Sequence, residues 1–190
     1  MNKLDVDFVR KQFPSFQFEE VVGNGFFENA GGSFMSKQVI ERLSRYHNQR
    51  RVQPYWIFNS SKLAGEEMDE SRSRMAALLN VSNRSLHFGS STSQNTYVLS
   101  EAFNNRNSKR KVIIVTNQDH EANSGSWRKL ERSGFSIREW RVNEIDGSLD
   151  INDLHKLMDE EVLLVAFPHC SNIIGQINPV KTICNLVKRF

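Results

Sequence analysis

The hydrophobic positions of the first 80 residues follow a helical spacing, because apolar side chains recur three or four residues apart. A short helix is predicted over 5–13, and it ends before Pro14 because proline cannot continue a helix. Two longer helices are predicted over 36–51 and 61–79, the second capped by Ser60 or Ser61. The residues expected on the inner faces of these two helices are Val39, Leu43, Tyr46, Ala64, Met68, Met75 and Leu78.

From about residue 81, short apolar runs alternate with helical stretches. The predicted strands span 85–88, 111–115, 135–142 and 162–167. The predicted helices span 93–103, 122–132 and 150–158, the third of them capped by Asp150, and Pro179 opens a last one. Unbroken runs of Val, Ile and Leu are typical of parallel strands that helices cover on both faces. We therefore predict an α/β fold with a mostly parallel sheet over 81–190, preceded by a helical segment over 1–80.

Composition describes an ordinary soluble protein, with 38% hydrophobic and 25% charged residues in a chain of 190, enough for one substantial domain. The net charge of +3 is too small and too dispersed to indicate a nucleic-acid partner. Residues 1–13 contain no continuous apolar run, so a signal peptide is not expected, and no later apolar run approaches the length of a membrane span. Cys170 and Cys184 have no spacing that indicates a metal site or a disulfide, and we expect a cytoplasmic protein.

The loop Gly89–Asn95 carries small hydroxylated residues just before a predicted helix. Free backbone N–H groups, hydroxyl donors and a helix N-terminus are the chemistry of a phosphate site. The loop contains neither the Lys of a P-loop nor the glycine pattern of a dinucleotide-binding loop. Taken alone, the loop is more often explained by a plain Ser or Thr helix cap.

Two further predicted strands end on polar side chains. His120 and Asn123 follow the run 112–115, and Trp127 after them is expected to anchor the next helix. Asn172 follows the run 162–167, and its amide is expected to be buried. A histidine in a surface loop is commonly incidental. In a parallel sheet, however, the loops after successive strands share one edge, so these groups are expected beside the hydroxylated loop. Together they predict a pocket for a flat, phosphorylated ligand.

Four segments, in this order, resemble signature segments of the class V aminotransferase family. They read FENAGGSFMSKQV, FGSSTSQNT, TNQDHEANSGSW and VAFPHCSNIIGQINPV. The resemblance extends from about Phe8 to Phe190 and is strongest to the cysteine desulfurase-like branch, whose members are pyridoxal-phosphate enzymes of fold type I. It implies a pyridoxal phosphate cofactor, an amino-acid substrate and a homodimer of the full-length protein.

The resemblance also implies roles for individual residues. Thr92 and Ser93 correspond to the pair that binds the cofactor phosphate, and the backbone of Ser91 lies next to them. His120 corresponds to the imidazole that stacks on the pyridine ring and helps to move protons, and Asn172 to the amide that binds the ring hydroxyl. The loop that lines the substrate side corresponds to Asn29, Ala30 and Gly31. Glu28 and Ser93 stand where the family often has Asp and Thr.

The family's Schiff-base lysine and the Asp that holds the pyridine nitrogen follow the region that ends at Phe190 here. The resemblance therefore implies that this chain is the N-terminal half of a longer enzyme, without the C-terminal part of the large domain and the small domain. We expect the chain as it stands not to catalyse. Desulfurase, aminotransferase, selenocysteine lyase and epimerase activities all remain open for the whole enzyme. A non-catalytic half-domain, which binds the cofactor weakly or serves in assembly, is the alternative, and a nucleotide-dependent α/β enzyme is a more distant one.

Overall fold

A computed structural model describes residues 3–190. Their contacts divide the chain into two compact units, Met1–Phe88 and Gly89–Phe190. The boundary predicted from the sequence, between residues 80 and 81, lies eight residues earlier in the chain. Each unit has its own architecture.

The unit Met1–Phe88 is helical. Its α-helices are α1 (Val6–Arg10), α2 (Lys37–Arg45) and α3 (Asn59–Leu78). Shorter turns of 3-10 helix span Pro14–Gln17 and Asn83–Ser85, and a π-helical turn over Tyr46–Arg50 continues α2. Helices α1 and α2 lie within the predicted segments, whereas α3 begins two residues earlier than predicted, at Asn59. Ser36 and Phe58 occupy the N-cap positions of α2 and α3.

Two predictions for this unit are wrong in detail. Ser60 and Ser61 do not cap α3, because Ser61 is buried and its hydroxyl accepts the Trp56 N–H at 2.7 Å, closing the preceding loop onto the helix. The segment 85–88 is not a strand. The backbone of Leu86 is extended (φ −110°, ψ 129°), but among residues 3–190 no strand pairs with it.

The inner faces predicted for α2 and α3 are mostly exposed, although their helical spacing is as expected. Ala64 is buried, whereas Val39 and Leu43 keep 46% and 42% of their surface exposed. Periodicity identifies the apolar face of a helix but does not supply the layer that covers it. The other members of the predicted faces are also exposed, namely Tyr46, Met68, Met75 and Leu78.

The unit Gly89–Phe190 is built on a parallel sheet. Its strands are β1 (Val112–Thr116), β2 (Ser136–Trp140) and β3 (Val162–Val165), in the order β2-β1-β3. Both partners run parallel to the central strand β1. The helices are α4 (Thr92–Asn104), α5 (Glu121–Arg128), α6 (Ile151–Leu157) and α7 (Val180–Val187). This architecture confirms the predicted α/β class.

Helices cover both faces of the sheet, because alternate residues of β1 point to opposite sides. On one face, Val112 and Ile114 share a core with Trp140 and with residues of α6 and α7, including Leu154 and Ile183. On the other face, Ile113 and Val115 pack in a core with Trp127 and Leu130, and Phe103 of α4 packs against this core. Among residues 3–190 no helix is both long and apolar enough to cross a membrane.

Candidate functional site

The loops that follow β1 and β3 leave the same edge of the sheet, because the two strands are parallel. Hydrogen bonds join these loops directly. The Ser171 hydroxyl donates to the backbone oxygen of Gln118 at 3.0 Å, and Asn178 Nδ2 donates to Gln118 Oε1 at 2.6 Å. The structure therefore holds the loop that carries His120 against the loop that carries Asn172.

Gln118, Ser171 and Asn178 form a buried polar hub at this edge, each with no more than 4% of its surface exposed. The hub also reaches the loop after β2, since Gln118 Nε2 donates to the backbone oxygen of Gly147 at 2.8 Å. Buried polar groups are costly unless they are hydrogen-bonded, so a satisfied cluster of this kind fixes its loops. The sequence interpretation missed the hub; its only signal was a polar side chain at each strand end.

His120 caps α5. Its Nδ1 accepts the backbone N–H of Ala122 at 3.0 Å, and its backbone is extended (φ −69°, ψ 145°), as an N-cap requires. The side chain remains exposed. Trp127, near the end of α5, is only 3% exposed and anchors this helix in the core, as the sequence predicted.

Asn123 belongs to the support of this loop. Its Oδ1 accepts the indole N–H of Trp127 at 3.3 Å, and its Nδ2 donates to the carboxylate of Asp119. Burial raises the pKa of Asp119, although hydrogen bonds from Asn123 and from the backbone N–H of His120 act in the opposite direction. A partly buried carboxyl group thus lies immediately before the imidazole.

The hydroxylated loop forms the start of α4. Ser91 is the N-cap, and its hydroxyl accepts the Gln94 N–H at 3.2 Å. Thr92 and Ser93 are exposed, and within residues 3–190 neither their backbone N–H groups nor their hydroxyls donate a hydrogen bond to another residue. A Cβ at Gly89 would lie 1.6 Å from Asn95 Oδ1, so any side chain there would displace that carboxamide.

The convergence of this loop with the other two stays a prediction, because the strand expected before it is absent from the described residues. A structural link exists through the helices. The ring of Phe103 on α4 lies edge-on to Trp127 of α5, with 5.6 Å between the ring centroids. The helix that carries Ser91, Thr92 and Ser93 therefore packs against the helix that His120 caps.

Asn172 lies in a tight turn after β3. The N–H groups of Ile173 and Ile174 point to the Ser171 hydroxyl at 3.3 Å and 3.4 Å, and Gly175 has a positive φ of 72°. The sequence suggested that Asn172 is buried, and this is wrong. The buried carboxamide of the segment belongs to Asn178, whereas that of Asn172 is exposed and without a hydrogen-bond partner within residues 3–190.

Asn29, Ala30 and Gly31 belong to the unit Met1–Phe88 and are exposed. Gly31 N–H donates to the backbone oxygen of Glu28 at 3.0 Å, and Asn29 Oδ1 accepts the Ser33 hydroxyl at 3.3 Å. These bonds close a local turn. The expected place of this turn on the substrate side of the site stays a prediction.

Residues 25–190 match the family model described as Aminotransferase class-V. The chain belongs to this family.

Curated relatives include the aminotransferase-like protein FGM3 of Gibberella zeae, 28% identical over 98% of the chain. A probable cysteine desulfurase of Xylella fastidiosa is 30% identical over 97% of the chain. The chain spans about half the length of these relatives, 46% and 45% respectively. The apo cysteine desulfurase of Thermococcus onnurineus superposes with a TM-score of 0.83 and 24% identity, over 100% of this chain and 46% of that one, which shows the fold.

Proposed function

We propose that this chain forms the cofactor-binding half of a pyridoxal-phosphate enzyme that acts on amino acids, most closely in the manner of a cysteine desulfurase. Family membership supports the cofactor, and the desulfurase names of several relatives support the branch. The single observation that carries the proposal is the hydrogen-bonded hub. It holds the loops of His120 and Asn172 together while both of these side chains stay exposed.

The exposed groups fit the cofactor by their chemistry. Thr92 and Ser93 offer N–H and hydroxyl donors at a helix N-terminus, where a phosphate is stabilised, and Ser91 fixes this turn. The imidazole of His120 offers a flat face, and Asn172 offers an amide for the ring hydroxyl. When bound, pyridoxal phosphate supplies an electron sink for carbanionic intermediates. His120 would orient its ring and move protons, and Asn29, Ala30 and Gly31 would line the substrate side.

We further propose that the 190-residue chain alone binds pyridoxal phosphate without a covalent bond. None of its lysines lies in the segments 89–95, 117–123 or 166–179. Lys181 lies on α7 and Lys188 directly after it, and both are exposed. A homodimer and a cytoplasmic location are part of the same proposal for the whole protein.

Substitution of the phosphate donors tests the binding site. Thr92→Ala should weaken pyridoxal phosphate binding by about tenfold to a hundredfold, because a hydrogen bond to a charged group contributes roughly 1.5–3 kcal/mol. Absorbance titration of the 190-residue chain measures the affinity. Ser133→Ala is the control, since Ser133 is exposed at the amino end of β2, away from the carboxyl edge of the sheet.

The outcomes separate the site from the chemistry. Borohydride reduction should not label any single lysine of the 190-residue chain. With a thiol reductant such as dithiothreitol present, the whole protein should convert cysteine to alanine and release the sulfur as sulfide. Unchanged affinity in Thr92→Ala would remove the phosphate site from the proposal. Stoichiometric labelling of one lysine within residues 1–190 would contradict the non-covalent mode, and a whole protein inert toward cysteine would exclude the desulfurase assignment.

A further inference from the structure

A cavity of about 430 Å³ lies within the unit Met1–Phe88, apart from every residue assigned to the cofactor. Small-molecule sites usually measure about 300–1,000 Å³, so its size is sufficient for a ligand. One part of its wall is apolar and aromatic, with Leu43, Tyr46, Val52, Met68 and Phe88. Another part carries charge, with Arg42, Arg50, Arg72 and Glu67.

Positive charge exceeds negative charge around this cavity. Glu67 lies within 3.4 Å of Arg42, 2.9 Å of Arg45 and 3.3 Å of Arg50, so one carboxylate faces three guanidinium groups. Burial opposes ionisation of Glu67, but the hydrogen bonds from Arg45 and Arg50 outweigh it and hold its pKa below the usual value. The carboxylate is therefore charged at neutral pH, and its single negative charge neutralises only part of the positive charge of the three guanidinium groups.

Two guanidinium groups retain unused donors, that of Arg72 in the wall of the cavity and that of Arg45 beside Glu67. Arg45 Nε and Arg72 Nε are buried and have no hydrogen-bond acceptor among residues 3–190. Arg72 is only loosely paired, since Asp69 lies 4.0 Å away and also accepts the Tyr55 hydroxyl at 2.9 Å. Buried donors without partners are rare in folded proteins, and each one requires a physical explanation.

We propose that this cavity binds a small organic anion, with a carboxylate or phosphate group against the arginines and an apolar, flat body against the aromatic wall. Guanidinium groups bind planar anions in a bidentate manner and stack on rings, which suits both parts of such a ligand. An added anion would balance the excess charge around Glu67. The inference concerns a second site and does not depend on the proposed cofactor chemistry.

Titration of the 190-residue chain with phenyl phosphate, phenylacetate and neutral benzyl alcohol at constant ionic strength tests the proposal. Calorimetry should show saturable binding of at least one of the two anions with one ligand per chain, and at least tenfold weaker binding of the alcohol. Comparison of the two anions distinguishes a phosphate from a carboxylate preference. Equal affinity for the alcohol, or no saturable binding of either anion, would overturn the proposal.

Variants locate the binding. Arg50→Gln and Arg72→Gln should each weaken it about tenfold or more, whereas Arg74→Gln should not change it. Arg74 is the matched control, because its side chain is 80% exposed and it does not line the cavity. Glu67→Gln should tighten binding, on the order of threefold, because it removes the carboxylate that competes with a bound anion for the surrounding guanidinium groups. Mere loss of folding would not produce this tightening.

One control separates this cavity from the phosphate donors of α4. Thr92→Ala should leave the binding of phenyl phosphate at this cavity unchanged, and circular dichroism should show that every variant is folded. Loss of binding in Thr92→Ala with retention in Arg50→Gln and Arg72→Gln would assign the signal to the α4 loop and overturn the inference. The reverse pattern supports it, whether or not pyridoxal phosphate binds elsewhere.

Discussion

The two compact units bury their side chains to very different extents. In Gly89–Phe190, all five residues of β1 are buried, and large side chains such as Trp127 and Trp140 are at most 3% exposed. In Met1–Phe88, the buried residues among those described are the small ones Ser61, Ala64, Gly65 and Ala76. Large apolar side chains of the same unit, including Phe27, Trp56 and Ile57, keep 63% or more of their surface.

The difference shows what a second layer contributes. The sheet has helices on both faces, so side chains of β1 pack against a helical layer on either side. Helices α2 and α3, by contrast, have apolar faces that the described residues of their unit leave uncovered. Burial of apolar surface is the main stabilising term in folding. We therefore expect the unit with the sheet to dominate the stability of the chain.

Two tryptophans provide the largest expected contrast. Trp140→Ala should lower the free energy of unfolding by about 3–5 kcal/mol, because it opens a cavity in the core. It also removes the hydrogen bond from the indole N–H to the Asp150 oxygen at 2.9 Å. Trp56→Ala should change the free energy of unfolding by less than about 0.5 kcal/mol, since this side chain is 63% exposed. Denaturant unfolding measures both, and equal losses would contradict the contrast.

The buried hub should give the next largest effect. Gln118→Ala and Asn178→Ala should each cost about 1–3 kcal/mol, because each leaves a buried partner without its hydrogen bond. The double variant should lose less than the sum, with a coupling of roughly 0.5–3 kcal/mol. Asn185→Ala on the exposed side of α7 is the control. Strict additivity in denaturant unfolding would show that the two amides do not act as a unit.

Helix caps provide a smaller and directly matched comparison. Asp150 accepts the Asn152 N–H at 2.8 Å at the start of α6, and Asp5 accepts the Phe8 N–H at 2.9 Å at the start of α1. Asp150→Ala should destabilise the chain by about 1 kcal/mol. Asp5→Ala should have no measurable effect on global unfolding, because α1 has no buried residue. A larger loss for Asp5→Ala than for Asp150→Ala would refute the assumed dominance of the sheet unit.

Acid titration should reveal the smallest effect, at Glu67. Its folded pKa lies below the usual 4.5, so its ionised form stabilises the fold above that pH, and this contribution disappears as the pH falls through the folded pKa. Glu67→Gln should therefore destabilise the chain by less than about 1 kcal/mol at pH 7, and the difference from the wild type should shrink at lower pH. Glu70→Gln, from an exposed pair with Arg74, is the control. A difference that grows on acidification would contradict the sign.

The sequence predicted the sheet unit well because its signals are local and strong. The runs that form β1 and β3, the cap Asp150 and the anchor Trp127 all occur where the sequence indicated. Helix α5 ends at Arg128 rather than 132, because the residues after it form a 3-10 turn that closes at Gly134 with φ 85°. Competition between two helix types with similar hydrogen bonds leaves little trace in the residue pattern.

The predictions that were wrong share a different cause, because each concerned a residue or segment whose structure depends on partners distant in the chain. The segment 85–88 is extended but has no strand beside it among residues 3–190, and the faces of α2 and α3 have apolar spacing without a cover. At the candidate site, the residue types at His120, Ser91, Thr92 and Ser93 could be read from the motif. The Gln118–Asn178 bond, between residues 60 positions apart, could not.

The hydrogen bond at the start of α5 determines which ring nitrogen of His120 carries a proton. A ring nitrogen that accepts the Ala122 N–H at 3.0 Å cannot itself hold a proton, so the neutral imidazole is the Nε2–H tautomer. In this tautomer Nδ1 is occupied by the cap of α5, so Nε2 is the ring nitrogen through which His120 can donate a hydrogen bond to a bound group.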